Sequence, residues 1–356
     1  MNILFLSGRE LSYPRNGLIF NLLSSENSVR FIGRQTGAGS ILLQSILGVF
    51  KAIPLILSRR FSLCYIGFFG QIIMIPLGTF RKQKFIFDAF ISTYDTLCFD
   101  RRIFSPGSPA GRLAHWLDKT ACKLATRVIV DTHAHAAFFE DEFCVPAEKV
   151  DVLFVGCDDN LFVPLDIPPQ KDLVLFYGSY LPLHGLEIIL EAARKVEKAR
   201  PAIRFRLIGP RTGQSSYPYL SSWNDLKNIE WKPSVPIAQL PAEIQQAAIC
   251  LGGHFGTSQK AGRVIAGKTF QCIAMGKPTI VGDNPANREL LEHGKDAWFC
   301  QMGDPDALAN AILTLMDDPE LCKKLGLNAR KTYLSKASNP ILEDELKKIV
   351  LRTMND

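Results

Sequence analysis

The sequence predicts an α/β fold of two doubly wound domains facing a central cleft, and three observations lead there. Short β-rich apolar runs alternate with segments of helical period along all 356 residues. The runs are continuously apolar, as in parallel strands covered on both faces. The stretch Pro164-Leu-Asp-Ile-Pro-Pro-Gln-Lys171, stiffened by three prolines, divides the alternation into two similar halves. The expected domains are 1–165 and 166–339, each large enough to bury its own core, followed by a helix at 340–356.

The first half offers strands at 3–6, 30–32, 63–66, 85–87, 128–130 and 152–155. The second offers 173–176, 205–208, 229–231, 249–251, 279–281 and 298–300. Helical stripes are clearest in the second half, through Leu186, Ile189, Leu190, Ala193 and Val196, and through Leu308, Ile312, Leu315 and Met316. The tail keeps that period through Leu342, Leu346 and Ile349, without disclosing where it docks. Residues 61–80 carry no charge and are long enough to span a bilayer. Gly67, Gly70 and Pro76 interrupt them, so a strand, a turn and a helix are expected instead. The opening Met1-Asn-Ile-Leu-Phe-Leu-Ser7 lacks the basic region and cleavage pattern of a signal peptide.

Composition narrows the class further. With 47% apolar and 21% charged residues, disordered, collagen-like and coiled-coil chains are excluded. Nine cysteines without C-x-x-C spacing argue against a disulfide framework or zinc site, and read as small buried hydrophobes in a reducing cytosol. The net charge of +6 suits an anionic partner, a nucleotide diphosphate or a lipid headgroup, and is too mild for nucleic acid.

In open α/β sheets, ligands sit beyond the carboxyl ends of strands, where helix N-termini offer N–H groups. Four places there carry candidate chemistry. In Phe176-Tyr-Gly-Ser-Tyr-Leu-Pro-Leu-His-Gly185, Gly178 and Gly185 allow close backbone approach and His184 falls at a positive helix end; a plain βα turn is the competing reading. The stretch from Gly252 to Gln271 has five glycines with Lys260, Arg263 and Lys268, a composition suited to cradling a diphosphate. Solvated surface charge is the competing reading there. Asp88-Ala-Phe-Ile-Ser-Thr-Tyr-Asp95, followed by Asp100, supplies carboxylates able to take or orient a hydroxyl proton, or simply to cap a turn. The loop Tyr13-Pro-Arg-Asn-Gly17 offers Arg15 and Gly17 to a phosphate.

Other motifs are set aside. Asp304-Pro-Asp306 reads as a capped helix start rather than a metal site. His133 and His135 lack a third ligand nearby and read as exposed turn residues. No G-x-G-x-x-G, G-x-S-x-G or P-loop follows a predicted strand.

At these residues the chain resembles the retaining group 1 (family 4-like) glycosyltransferases of GT-B fold. Val150-Asp-Val-Leu-Phe-Val-Gly-Cys-Asp-Asp-Asn-Leu-Phe-Val-Pro164 is similar to that family's interdomain motif. Leu175-Phe-Tyr-Gly178 through Gly185, Phe270-Gln-Cys-Ile-Ala-Met-Gly-Lys-Pro278 and Asn287-Arg-Glu-Leu-Leu291 match further family stretches. The departures are specific. The family's paired glutamates fall on Arg263 and Gln271, and its loop Arg and Lys fall on Ser179 and His184.

The resemblance implies two Rossmann-like domains, the first on the acceptor side and the second binding a nucleotide sugar. It implies a hexosyltransferase-type, retaining and metal-independent enzyme of glycan biosynthesis, with no cofactor beyond its nucleotide-diphosphate-sugar donor. Phosphate contacts fall to Lys260, Arg263, Lys268, His184 and the amides at Gly185, with Gly17 from the first domain. Ribose falls to the Gln271 amide oxygen, and the sugar to Phe255, Gly256 and Thr257. Asp95 or Asp88 would orient the acceptor. The basic balance and the apolar segment 41–57 suggest a lipid-linked acceptor and peripheral contact with the cytoplasmic membrane face, although a buried core helix explains that segment equally well. Two alternatives remain beside transfer: a non-catalytic nucleotide-sugar-binding protein, and a GT-B nucleotide-sugar epimerase.

Overall fold

The computed structural model describes residues 1–34, 40–210 and 225–356. Contacts divide the chain into two compact units, Met1–Val155 with Asn339–Asp356, and Gly156–Ser338. The break precedes the proline stretch on which the sequence placed it. The reason lies in how residues 157–170 attach. Phe162 is buried, Leu165 N–H donates to Gln245, and Gln170 N–H donates to the Gln246 carbonyl. These contacts hold the segment on the second unit, while Pro164, Pro168 and Pro169 themselves stay exposed.

The first unit runs β1 (Asn2–Ser7), α1 (Pro14–Ser24), β2 (Ser28–Gly33), α2 (Ile41–Leu57), β3 (Leu63–Ile66), α3 (Gln71–Leu77), β4 (Lys84–Asp88), α4 (Pro109–Leu124), β5 (Arg127–Val130), α5 (His133–Phe143) and β6 (Val150–Val152). The second runs β7 (Leu173–Tyr177), α6 (Leu186–Ala199), β8 (Arg204–Ile208), β9 (Ile229–Lys232), α7 (Leu240–Gln246), β10 (Ile249–Leu251), α8 (Gly267–Ala274), β11 (Thr279–Gly282), α9 (Pro285–Leu290), β12 (Trp298–Cys300), α10 (Pro305–Asp317) and α11 (Pro319–Lys336). The last helix, α12 (Asn339–Asn355), returns to the first unit. All twelve predicted strands form, β6 starting two residues early. Residues 61–80 give β3, a turn and α3, and among the described residues no helix is long and apolar enough to cross a membrane.

The first sheet is parallel, in the order β2-β1-β3-β4-β5-β6. Period-2 alternation sends Leu4 and Leu6 to one face with α2, α3, α4 and α5, and Ile3 and Phe5 to the other with α1 and α12. Both faces are covered, hence the unbroken apolar runs. The stripe of Leu342, Leu346, Ile349 and Val350 docks α12 there, where Arg352 also reaches Asp151. The second sheet, also parallel, has the order β12-β11-β10-β7-β8-β9. Its strand order reverses between β7 and β10, where Val174 lies beside Ile249. That reversal is the switch point at which such sheets bind ligands. The cysteines are free, most are buried, and Cys144 is exposed rather than packed.

Candidate functional site

Two turns leave the switch point, residues 178–185 after β7 and 252–257 after β10. They meet backbone to backbone. Gly256 N–H donates to the Leu183 carbonyl at 3.1 Å, and Gly303 N–H, beyond β12, donates to the Phe255 carbonyl at 2.8 Å. Gly185 has φ +67°, and a Cβ on it would lie 2.5 Å from the Gly256 nitrogen, so only glycine fits. It is also the N-cap of α6, whose first turn has no side-chain cap. The Ile188 N–H is taken by the Gly185 carbonyl at 3.0 Å, so what this terminus offers a ligand or water is the N–H groups before it. Phe255 is fully buried in the core of this unit, and its N–H and carbonyl are paired with the His184 carbonyl and the Gly303 N–H, so it is not open to the sugar contact expected of it; Thr257 is exposed beside Gly303.

Lys268, the second residue of α8, reaches back beneath these turns. Its Nζ lies 4.9 Å from the centre of the Phe176 ring. Burial pushes its ammonium down to about 7. Among the described residues no carboxylate pairs with it. His184 and His254 stack nearby, ring centres 5.5 Å apart and planes 7° from parallel. Burial first, then the Lys268 charge, holds both imidazoles well below the usual histidine range. Both are therefore neutral near pH 7. His184 Nδ1 accepts the Leu181 N–H at 3.3 Å, which leaves the ring proton on Nε2 as a donor. His254 Nδ1 is buried without a hydrogen-bond partner. The sequence motif contained His254 but gave it no role; a histidine flanked by Gly253 and Phe255 at a strand end was the available signal.

The remaining candidates gather around this pair of turns to different degrees. Lys260 is buried, and its charge is felt by His254. Arg263 is half-buried and donates to Gln259 at 2.7 Å. The Gln271 amide oxygen accepts the Tyr177 hydroxyl at 2.8 Å, so one lone pair of the expected ribose acceptor is already engaged.

The first unit uses its candidates otherwise. Arg15 forms a two-pronged pair with Asp88 (3.0 and 3.3 Å) and donates to the Leu153 and Phe154 carbonyls. Tyr65 donates to the same carboxylate at 2.8 Å. Arg15 and Asp88 are both buried, so neither is placed to meet a phosphate or an acceptor hydroxyl as expected. They tie α1 to the carboxyl end of β4. Asp95 is fully buried at the start of a π-helical turn, again out of reach of an acceptor in this form. Gly17 lies within α1, where a Cβ would come 2.5 Å from the Leu11 carbonyl, so close packing by itself calls for glycine there. Asp118 of α4, which the sequence did not single out, accepts from Gln71, Ser92 and the Thr93 and Tyr94 N–H groups, holding the turn after β4. His135, expected to be exposed, is buried against Asp131 with Nδ1 at 2.6 Å, whereas His133 is exposed. Asp304 caps α10, as its spacing predicted.

Two six-stranded parallel sheets with flanking helices, and glycine turns meeting at a switch point, define the GT-B class of fold. Solved structures agree on that fold. Sucrose-phosphate synthase from Thermosynechococcus elongatus aligns with TM-score 0.79 at 13% identity, over 99% of this chain and 98% of its own. HepE from Anabaena, in complex with UDP-glucose, aligns with TM-score 0.71 at 17% identity, over 99% and 100%. Residues 158–332 match the family described as glycosyl transferases group 1. Among relatives, a D-inositol 3-phosphate glycosyltransferase of Segniliparus rotundus is 28% identical over 56% of this chain and 46% of its own length. A putative glycosyltransferase, EpsD, of Bacillus subtilis is 25% identical over 46% and 42%. The chain thus spans about half the length of the curated relatives it matches.

Proposed function

We propose that this protein transfers a sugar from a nucleoside-diphosphate donor, held at the second unit's switch point, to a hydroxyl acceptor. The observation that carries this reading is Lys268, a buried cation with no carboxylate partner among the described residues, set beside two neutral histidines and an uncapped helix terminus. Desolvating an ammonium costs several kcal/mol, and a diphosphate supplies the missing counter-charge.

The chemistry needs that charge at one moment. The bond from the anomeric carbon to the diphosphate oxygen breaks, the acceptor oxygen bonds to that carbon, and the acceptor proton passes to the departing phosphate oxygen. Negative charge grows on the diphosphate, where Lys268, the His184 Nε2–H and the first N–H groups of α6 stabilise it. Lys260 and Arg263 extend the positive potential, Gln271 faces the ribose, and Thr257 the sugar. Retention of configuration and independence of metal follow the family resemblance. The acceptor is a sugar or lipid-linked hydroxyl of a glycan-building pathway at the cytoplasmic membrane face. The family likeness and the UDP-glucose carried by HepE support the donor class.

A second reading, a binding protein that turns nothing over, is favoured by Arg263 and Gln271 standing where the family's paired glutamates fall. Incubation with radiolabelled UDP- and GDP-sugars, with and without a membrane extract, decides between them. Transfer or donor hydrolysis supports the enzyme; saturable binding without turnover supports the second reading. An epimerised donor, or no binding, contradicts both.

A further inference from the structure

We propose that the outer face of α2, with the groove beside it, is a docking surface for an anionic lipid bilayer. This deepens the acceptor half of the reading above; the donor site does not depend on it. An ordinary surface helix buries its large apolar side chains and exposes polar ones. α2 buries some apolar side chains but exposes larger ones. Its inner face is made of Ser45, Gly48, Val49, Ala52 and Ile56, while Leu42, Leu43, Ile46, Leu47, Phe50 and Leu57 stand outside. Phe50 is 67% and Leu57 63% exposed. A contiguous apolar face of this kind marks an interaction surface.

Charge identifies the occupant. From Asn27 to Phe87 the sequence contains eight Lys and Arg and no Asp or Glu, while the rest of the chain carries 33 against 35. The positive excess of the whole protein therefore resides in the segment that builds this face. Lys51 on α2, and Arg59 and Arg60 just past its end, are exposed at the rim. Between α2 and the edge strand β2 runs a groove of about 420 Å³, with Arg30 and Lys51 among apolar walls from Phe31, Ile32, Leu47 and Leu55. These two cations beside apolar side chains fit a phosphate headgroup and the start of its acyl chain. α4, in the same helical layer, adds exposed Leu113 and Trp116. A second copy of this chain would bring the same cations face to face, which disfavours self-association here. α2, at 17 residues and lying along its unit, fits a helix resting in the interface plane.

Flotation with phosphatidylcholine vesicles, with and without phosphatidylglycerol, tests this on the full chain. The protein is expected to float with the anionic vesicles and less so at high salt. The pair Leu43→Glu and Phe50→Glu, both outward-facing, should lower partitioning at least about tenfold while leaving UDP binding unchanged. Lys51→Glu with Arg59→Glu should lower it on anionic vesicles alone. Failure of the wild type to float, or equal flotation of the Leu43→Glu/Phe50→Glu protein, overturns the proposal. So does a vesicle-free dimer that these two changes convert to monomer. Loss of UDP binding with intact flotation would instead count against the donor site and leave the docking surface standing.

Discussion

The Lys268 ammonium lies 4.9 Å from the centre of the Phe176 ring, an aromatic face serving where a carboxylate would normally stand. Phe176 is the fourth residue of β7 and Lys268 the second of α8, so the contact joins β7 to the helix that follows β10, its neighbour across the strand-order reversal. A ring partly compensates a buried positive charge without neutralising it. The charge remains available to an anion.

A pH dependence of nucleotide binding follows. With Lys268 brought down to about 7 by burial, the empty protein loses that proton as pH rises through neutrality. A bound diphosphate favours the protonated form, so binding above pH 7 takes up a proton. UDP affinity should fall by up to about tenfold per pH unit above that point. Titration calorimetry in buffers of different ionisation heat reads the uptake directly.

The same residue should cost stability. A lysine brought down from its unfolded value means the unfolded chain holds more protons between about pH 7 and the ordinary lysine range, so its penalty is full below pH 7 and fades as pH rises. Lys268→Met should therefore raise unfolding stability by about 1–4 kcal/mol at slightly acidic pH, the gain narrowing toward alkaline pH. Denaturant melts at several pH values check it.

At Gly185, alanine meets both a left-handed φ of +67° and the Gly256 nitrogen at 2.5 Å. Gly185→Ala should destabilise by about 2 kcal/mol or more and weaken UDP binding, because the two turns must part. Gly262, where an added Cβ meets nothing within 4 Å, is the control position.

Asp88→Ala strips the counter-charge from Arg15 and a hydrogen-bond acceptor from Tyr65. It should cost about 3–5 kcal/mol, visible as a large drop in melting temperature. Wild-type stability with a selective loss of transfer would restore Asp88 to the acceptor.

The strands, the α6 and α10 stripes and the glycine turns were legible because period and turn chemistry are local. What the sequence concealed depends on distant partners. Asp88 reads as an acid until Arg15, 73 positions away, occupies it. The Gln271 oxygen reads as a ribose acceptor until Tyr177, 94 positions away, donates to it. His135 sits in a window of alternating small and polar residues, and only the i,i+4 placement of Asp131 below β5 buries it. α2 misleads most, since a uniformly apolar segment carries no period telling which face turns inward.

Calorimetric titration of UDP into the wild-type protein and the Lys268→Met variant, at slightly acidic pH, tests the central claim most directly. Saturable binding by the folded wild type, weakened about ten- to hundredfold in the variant, is the predicted result. Equal affinities in two well-folded proteins would contradict it.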